Sequence, residues 1–183
     1  MVVSCFGSAH PIPDINMITV DYLKDQLGLA PLPEEGGFFA ETYRSPVQIP
    51  ADCLPRRYTG SRSAGTAIYY LLTPDTFSAL HRLPGDEIYH FYLGDPVDLF
   101  LLSTDGRGEV ITLGQDLEVG MQLQTVAPGG AWQGSRLRDA GRFALLGTTM
   151  APGFAFEDFE LGDREALLRE YPAFTDWIVR LTR

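Results

Sequence analysis

From Pro33 onward the hydrophobic residues fall in short runs that alternate with polar ones, and Gly, Pro and Asp separate the runs. Alternation over about four to eight residues is the period of a strand with one buried face. The pattern predicts strands at Phe38–Arg44, Thr66–Leu72, Thr76–Leu83, Glu87–Leu93, Val97–Ser103, Glu109–Leu113, Gln122–Ala127, Ala131–Gln133 and Arg142–Met150. The separators include Thr73-Pro74-Asp75, Pro84-Gly85-Asp86, Gly94-Asp95-Pro96 and Pro128-Gly129-Gly130, all turn chemistry. No run between them is long enough for a crossover helix, so the pattern predicts an all-β sandwich or barrel rather than a parallel α/β sheet. Helices are expected at the two ends. Thr19 is an N-cap for a helix to Leu27, with Gly28 at its close. Asp163 caps a second helix reaching about Glu170, and Pro172 opens a third in which Phe174, Ile178 and Leu181 share a face. Residues 1–17, interrupted by Gly7, Pro11 and Pro13, are expected to form a flexible arm, and 18–183 a single domain.

Several runs are apolar on both faces. In Glu87–Leu93 one face carries Glu87, Tyr89, Phe91 and Leu93, the other Ile88, His90 and Tyr92. Such a strand needs the barrel interior on one side and a covering layer or second subunit on the other, so a homodimer is expected. The net charge of −10 opposes phosphate backbones and anionic lipid, which makes nucleic-acid and membrane-surface partners unfavourable. Two cysteines, Cys5 and Cys53, define no disulfide framework, and no apolar run approaches a membrane span. The first residues lack the features of a signal peptide, so a cytoplasmic location is expected.

The densest chemical signal lies between Thr76 and Pro96. His81 and Glu87 stand six residues apart across Pro84-Gly85-Asp86, and antiparallel pairing across that turn would set them side by side, about 5 Å apart at Cβ. An imidazole beside a carboxylate in an enclosed space can act as a base, hold a metal or orient a ligand. Alternation from His81 brings Phe77 to the same face, and alternation from Glu87 brings Tyr89 and Phe91. These make aromatic walls with a few converging polar groups, as small-ligand sites have. In the first strand Glu41 and Tyr43 share one face and Thr42 and Arg44 the other. Which of the two faces inward is open; an inward Arg44 would favour a carboxylate or phosphate ligand. Trp132 reads as either a core anchor or a stacking platform, and Gln133 as either a ligand contact or an amide satisfying backbone.

The same residues fall in register with the first cupin motif, with His81, Glu87 and the strand-ending Gly94 in place and Leu83 at the second histidine position. Gly120 and Pro128-Gly129-Gly130-Ala131-Trp132-Gln133 follow the second motif, with Gln133 where its histidine would stand. In combination with Glu35-Gly36-Gly37-Phe38-Phe39-Ala40-Glu41-Thr42-Tyr43-Arg44-Ser45, Ile68–Leu72, Ser78–Arg82 and Ala151-Pro152-Gly153-Phe154, the chain resembles the uncharacterised DUF985 family of the cupin superfamily over residues 18–172.

The resemblance implies a double-stranded β-helix, or jelly-roll barrel, with short flanking helices, a dimer, and likeness to metal-free sugar-nucleotide epimerases. Metal-binding cupins offer three histidines and a glutamate. Here the corresponding set is at most His81, Glu87 and Gln133, so no cofactor is expected and a divalent metal is disfavoured. The functional expectation is a small polar metabolite, sugar-like or bearing carboxylate or phosphate, with His81 as base, Glu87 orienting it and Tyr89 as acid in isomerase-like proton transfer. The alternatives are a binding or sensory module without turnover, and a metal-dependent oxygenase.

Overall fold

The computed structural model describes residues 18–183, so the expected N-terminal arm lies outside the described residues. Helix α1 (Val20–Leu27) begins where Thr19 Oγ1 accepts a hydrogen bond from the Tyr22 amide at 3.2 Å and stops at Gly28, in the left-handed region at φ 63°. Six strands form one sheet. In spatial order they are β1 (Ala30–Pro31), β2 (Phe38–Arg44), β5 (Thr66–Leu72), β12 (Ala144–Met150), β7 (Glu87–Gly94) and β10 (Gln124–Ala127). Five form a second sheet in the order β13 (Glu160–Leu161), β6 (Phe77–Arg82), β11 (Trp132–Leu137), β8 (Val97–Leu102) and β9 (Gly108–Leu113). A short ladder joins β3 (Gln48–Ile49) to β4 (Arg62–Ser63). Every ladder between these strands is antiparallel, the two-sheet jelly roll expected from the turn spacing.

The apolar faces find three partners. Between the sheets, Tyr70, Leu72, Tyr89, Phe91, Leu99 and Leu146 belong to the central core. Outside the six-stranded sheet, Leu23 of α1 packs with Leu71, Phe143 and Leu145. Outside the five-stranded sheet, Leu80, Phe100 and Trp132 are covered by Leu167 of α2 (Arg164–Glu170) and Ile178 of α3 (Thr175–Arg180). Asp163 caps α2 as expected, its Oδ1 accepting from the Ala166 amide at 2.8 Å. The expected start of the last helix moves: Pro172–Phe174 is a 3-10 turn and α3 begins at Thr175. β11 runs past Gln133 to Leu137, because its outer residues pair with β8.

Gly94 shows how tightly the turns are set. Its φ is 106°, and a Cβ there would strike the Phe143 carbonyl oxygen. Gly94→Ala is expected to cost about 1–3 kcal/mol of backbone strain on top of that clash, read as a lowered urea midpoint with an unchanged m-value.

Candidate functional site

Three strands trace the barrel interior in the same direction. On β7 the inward residues run from Glu87 to Tyr89 and Phe91, on β12 from Met150 and Thr148 to Leu146, and on β5 from Thr66 and Ile68 to Tyr70 and Leu72. The later members belong to the central core; the earlier ones line a cavity of about 360 Å³. The barrel is therefore packed at one end and hollow at the other.

His81 and Glu87 both line the hollow end, but by a route different from the expected hairpin. Strands β6 and β7 belong to opposite sheets. Pro84-Gly85-Asp86 is a corner carrying the chain between sheets, fastened where Asp86 Oδ1 accepts from the Gly129 amide at 2.8 Å. In the ladder His81 faces Gln133 and Leu161, while Glu87 faces Ala127 and Met150. The two side chains meet across the interior, Nε2 to Oε2, at 4.0 Å.

Other groups hold this pair in place. His81 Nδ1 lies 2.8 Å from the Ala79 carbonyl oxygen, which only accepts, so the proton sits on Nδ1 and Nε2 is turned to Glu87. The Phe159 ring stacks on the imidazole at 5.0 Å between centroids. Gln133 donates from Nε2 to Glu87 Oε2 at 2.7 Å, while its Oε1 is buried without a partner.

Glu35 completes the cluster, and the sequence reading gave it no role in the site. It sits in the Pro33–Gly37 turn, where Gly36 and Gly37 have φ of 102° and 70°. A Cβ on Gly37 would lie 2.8 Å from the Tyr70 hydroxyl, so only glycine lets the loop press onto the barrel. The Tyr70 hydroxyl donates to the Gly36 carbonyl at 2.9 Å, and the Ala79 amide donates to the Glu35 carbonyl at 2.8 Å. The Glu35 carboxylate accepts from Ser78 Oγ at 2.7 Å. The available signal was a pair of consecutive glycines after two acids, a loop built for close approach.

The charges are coupled. Burial, the largest influence on His81, pulls its pKa down. The charge of Glu35, the hydrogen bonding and charge of Glu87 and the Ala79 carbonyl together outweigh it and raise the pKa to about 9. Burial raises the pKa of Glu35, partly opposed by His81. The protonated imidazole is thus favoured by the two carboxyl groups that face it.

Register shifts redirect residues assigned by simple alternation. Between β6 and β11 the register shifts, pairing Gln133 with His81 but Ser135 with Ser78. Ser78 therefore takes the inward place, and Phe77 turns to the helix-covered face, where the Arg183 guanidinium lies 4.9 Å from its ring. The shift between Glu41 and Tyr43 acts likewise on β2. It brings Glu41 and Arg44 together on the cavity wall and leaves Tyr43 exposed. Trp132 packs in the helix-covered cluster with Arg82 over its ring at 4.6 Å, away from the cavity. Tyr89 and Phe91 point inward as alternation predicts but lie in the packed core below the cavity, where burial first, then Glu87, lifts the Tyr89 pKa well above its usual value. The segment after Met150 supplies Phe154, Phe156 and Phe159 to the cavity wall.

The two sheets, the cavity at one mouth and the motif residues together define a cupin. The chain matches the family model described as cupin superfamily (DUF985) over residues 21–162, and it belongs to that family. The uncharacterised protein YML079W of Saccharomyces cerevisiae is 33% identical over 132 residues, which span 68% of this chain and 66% of the yeast protein. The solved structure of protein SO0799 from Shewanella oneidensis superposes with a TM-score of 0.81 at 34% identity, covering 91% of this chain and 99% of that one. A hypothetical protein from Leishmania major gives 0.82 at 30% identity, covering 90% and 99%.

The residues present do not fit a cupin metal. Leu83, apolar, lines the cavity where a second histidine would stand, and Gln133 turns its amide nitrogen to Glu87. Among the described residues no group of three His, Cys, Asp or Glu side chains is arranged to hold an ion.

Proposed function

We propose that the hollow end of the barrel binds a small metabolite and moves protons on it, in an isomerase- or epimerase-like reaction. One observation carries this reading: His81 stands with Glu35 and Glu87 at the wall of a cavity of about 360 Å³, its Nε2 4.0 Å from Glu87 Oε2. That volume lies within the range of small-ligand pockets. The roles differ from a histidine base. With its pKa at about 9, His81 enters as the acid, giving the Nε2 proton to a carbonyl oxygen as it becomes an enol. A carboxylate takes the proton from the adjacent carbon; Glu35, its pKa raised by burial, is the better base of the two. Returning a proton to carbon and taking one from oxygen restores the site.

The test is solvent exchange. Candidate carbonyl metabolites that raise the melting temperature are incubated with the protein in D2O and weighed by mass spectrometry. Incorporation of deuterium with the native protein and its loss, by at least 10²-fold in rate, in His81→Gln and Glu35→Gln is expected. Equal exchange in His81→Gln would remove the assignment. Binding without turnover is a second reading, favoured by the burial of Tyr89 in the core, where it cannot supply a second acid. Ligands that bind and gain no deuterium would favour it.

A further inference from the structure

The hydrogen-bond inventory of the cavity wall is lopsided. Its two cations each face a carboxylate. Arg44 gives Nε and Nη2 to the Glu41 carboxylate at 3.0 and 2.6 Å and Nη1 to the Phe154 carbonyl at 3.0 Å. His81 is committed at Nδ1 to Ala79 and faces Glu87 through Nε2. The acceptors outnumber them: Glu34, Glu35, Glu41 and Glu87 all line the same space. Glu87, only 7% exposed, accepts its hydrogen bond at Oε2, and no donor among the described residues is bonded to Oε1.

Carboxyl groups outnumber cations on this wall, and an anionic ligand would find no free guanidinium there. The rings of Phe39, Phe154, Phe156 and Phe159 line the same space. Aromatic rings and carboxylates around one cavity favour a positive charge: the ring quadrupole attracts it and the carboxylates pair with it.

We infer that the ligand of this cavity carries an ammonium group, primary or secondary, on a compact apolar body, and carries no carboxylate or phosphate. This deepens the reading proposed above and rests on it, because it names the ligand class of the same cavity. It also departs from the expectation that an inward Arg44 recruits an anion: Arg44 faces the cavity, but its donors are spent on Glu41 and the Phe154 carbonyl.

Three probes of one shape separate the possibilities: benzylamine, benzyl alcohol and benzoate, added to the full chain at pH 7. Binding is followed through the His81 Cε1–H resonance. The chain has three histidines, and the signal missing from His81→Gln identifies the one needed. Benzylamine is expected to move that signal saturably with a Kd roughly tenfold or more below that of benzyl alcohol, equivalent to about 1.4 kcal/mol. Benzoate is expected to leave it unmoved, and Glu87→Gln to abolish the preference for the amine. Equal affinity for amine and alcohol, or tighter binding of benzoate, overturns the ammonium assignment while leaving the cavity as a ligand site. If none of the three moves the resonance, the ammonium assignment falls together with the pocket reading. The comparison among probes on the native chain stands even if Glu87→Gln fails to fold.

Discussion

Asp158→Ala is expected to lower the stability of the fold by about 3–5 kcal/mol, the largest single effect among the substitutions considered. Asp158 and Arg62 form a two-pronged ion pair, Oδ1 to Nη2 at 2.5 Å and Oδ2 to Nε at 2.6 Å, with both side chains 6% exposed. Removing the carboxylate leaves a guanidinium out of water with, among the described residues, only the Ser61 carbonyl, at 2.9 Å, as a hydrogen-bond partner. The loss is mostly the penalty of that stranded charge and not the net value of the pair. The joint replacement Arg62→Met with Asp158→Leu should therefore recover most of it. Urea denaturation of the native chain, the single variant and the double variant reads all three. If the double variant is as unstable as the single one, the explanation fails. The pair also ties Arg62 on β4 to the segment that carries Phe156 and Phe159, so the single variant should loosen the cavity wall before it unfolds the barrel.

The second large effect is on the pH dependence of stability. In the unfolded chain an imidazole titrates near pH 6.5, and in the folded protein His81 does so at about 9. The fold therefore favours the protonated form. Its contribution, about 3 kcal/mol, is complete below pH 6.5 and is lost as the pH rises through 9. Glu35 acts with the same sign, since burial raises its pKa and its ionisation weakens the fold. Urea midpoints should fall between pH 6 and pH 9.5 in the native chain and change far less in His81→Gln. Glu35→Gln, which removes the carboxylate charge acting on the ring, should move the His81 titration downward by NMR. A native His81 that titrates near 6.5 would contradict this picture.

The strands and turns were legible because the hydrophobic period and the Gly, Pro and Asp punctuation agree along most of the chain. Side-chain direction was legible only where the pairing runs without a shift, as over Glu87–Phe91 of β7, where Glu87, Tyr89 and Phe91 all turn inward. It failed at the register shifts, and past the one in β7 Leu93, expected on the Glu87 face, packs in the cluster with Leu23 of α1. One extra residue in β6 sends Phe77 outward and Ser78 inward, and another in β2 unites Glu41 with Arg44 and expels Tyr43. A bulge leaves no mark in a pattern of apolar and polar letters, since it is set by the partner strand. The meeting of His81 and Glu87 was foreseen for a reason the structure replaces: they converge across a corner between sheets, not along one hairpin. Glu35 was missed because its position depends on Tyr70 and Ala79, both distant in sequence. Trp132 had two open readings, and its neighbours α2 and α3, at the far end of the chain, select the core anchor.

Strand β6 serves two masters at adjacent positions. Leu80 is sunk in the cluster under the C-terminal helices, its amide donating to the Leu181 carbonyl at 2.7 Å and its carbonyl accepting from the Gly162 amide at 2.7 Å, while the next residue is His81. The helical cap thus grips the peptide adjoining the imidazole, and the strand works as a short lever between them. Changes buried under the cap, such as a smaller residue at Leu181, will register at the ring some distance away, so variation there belongs to the tuning of the chemistry as much as to the upkeep of the fold.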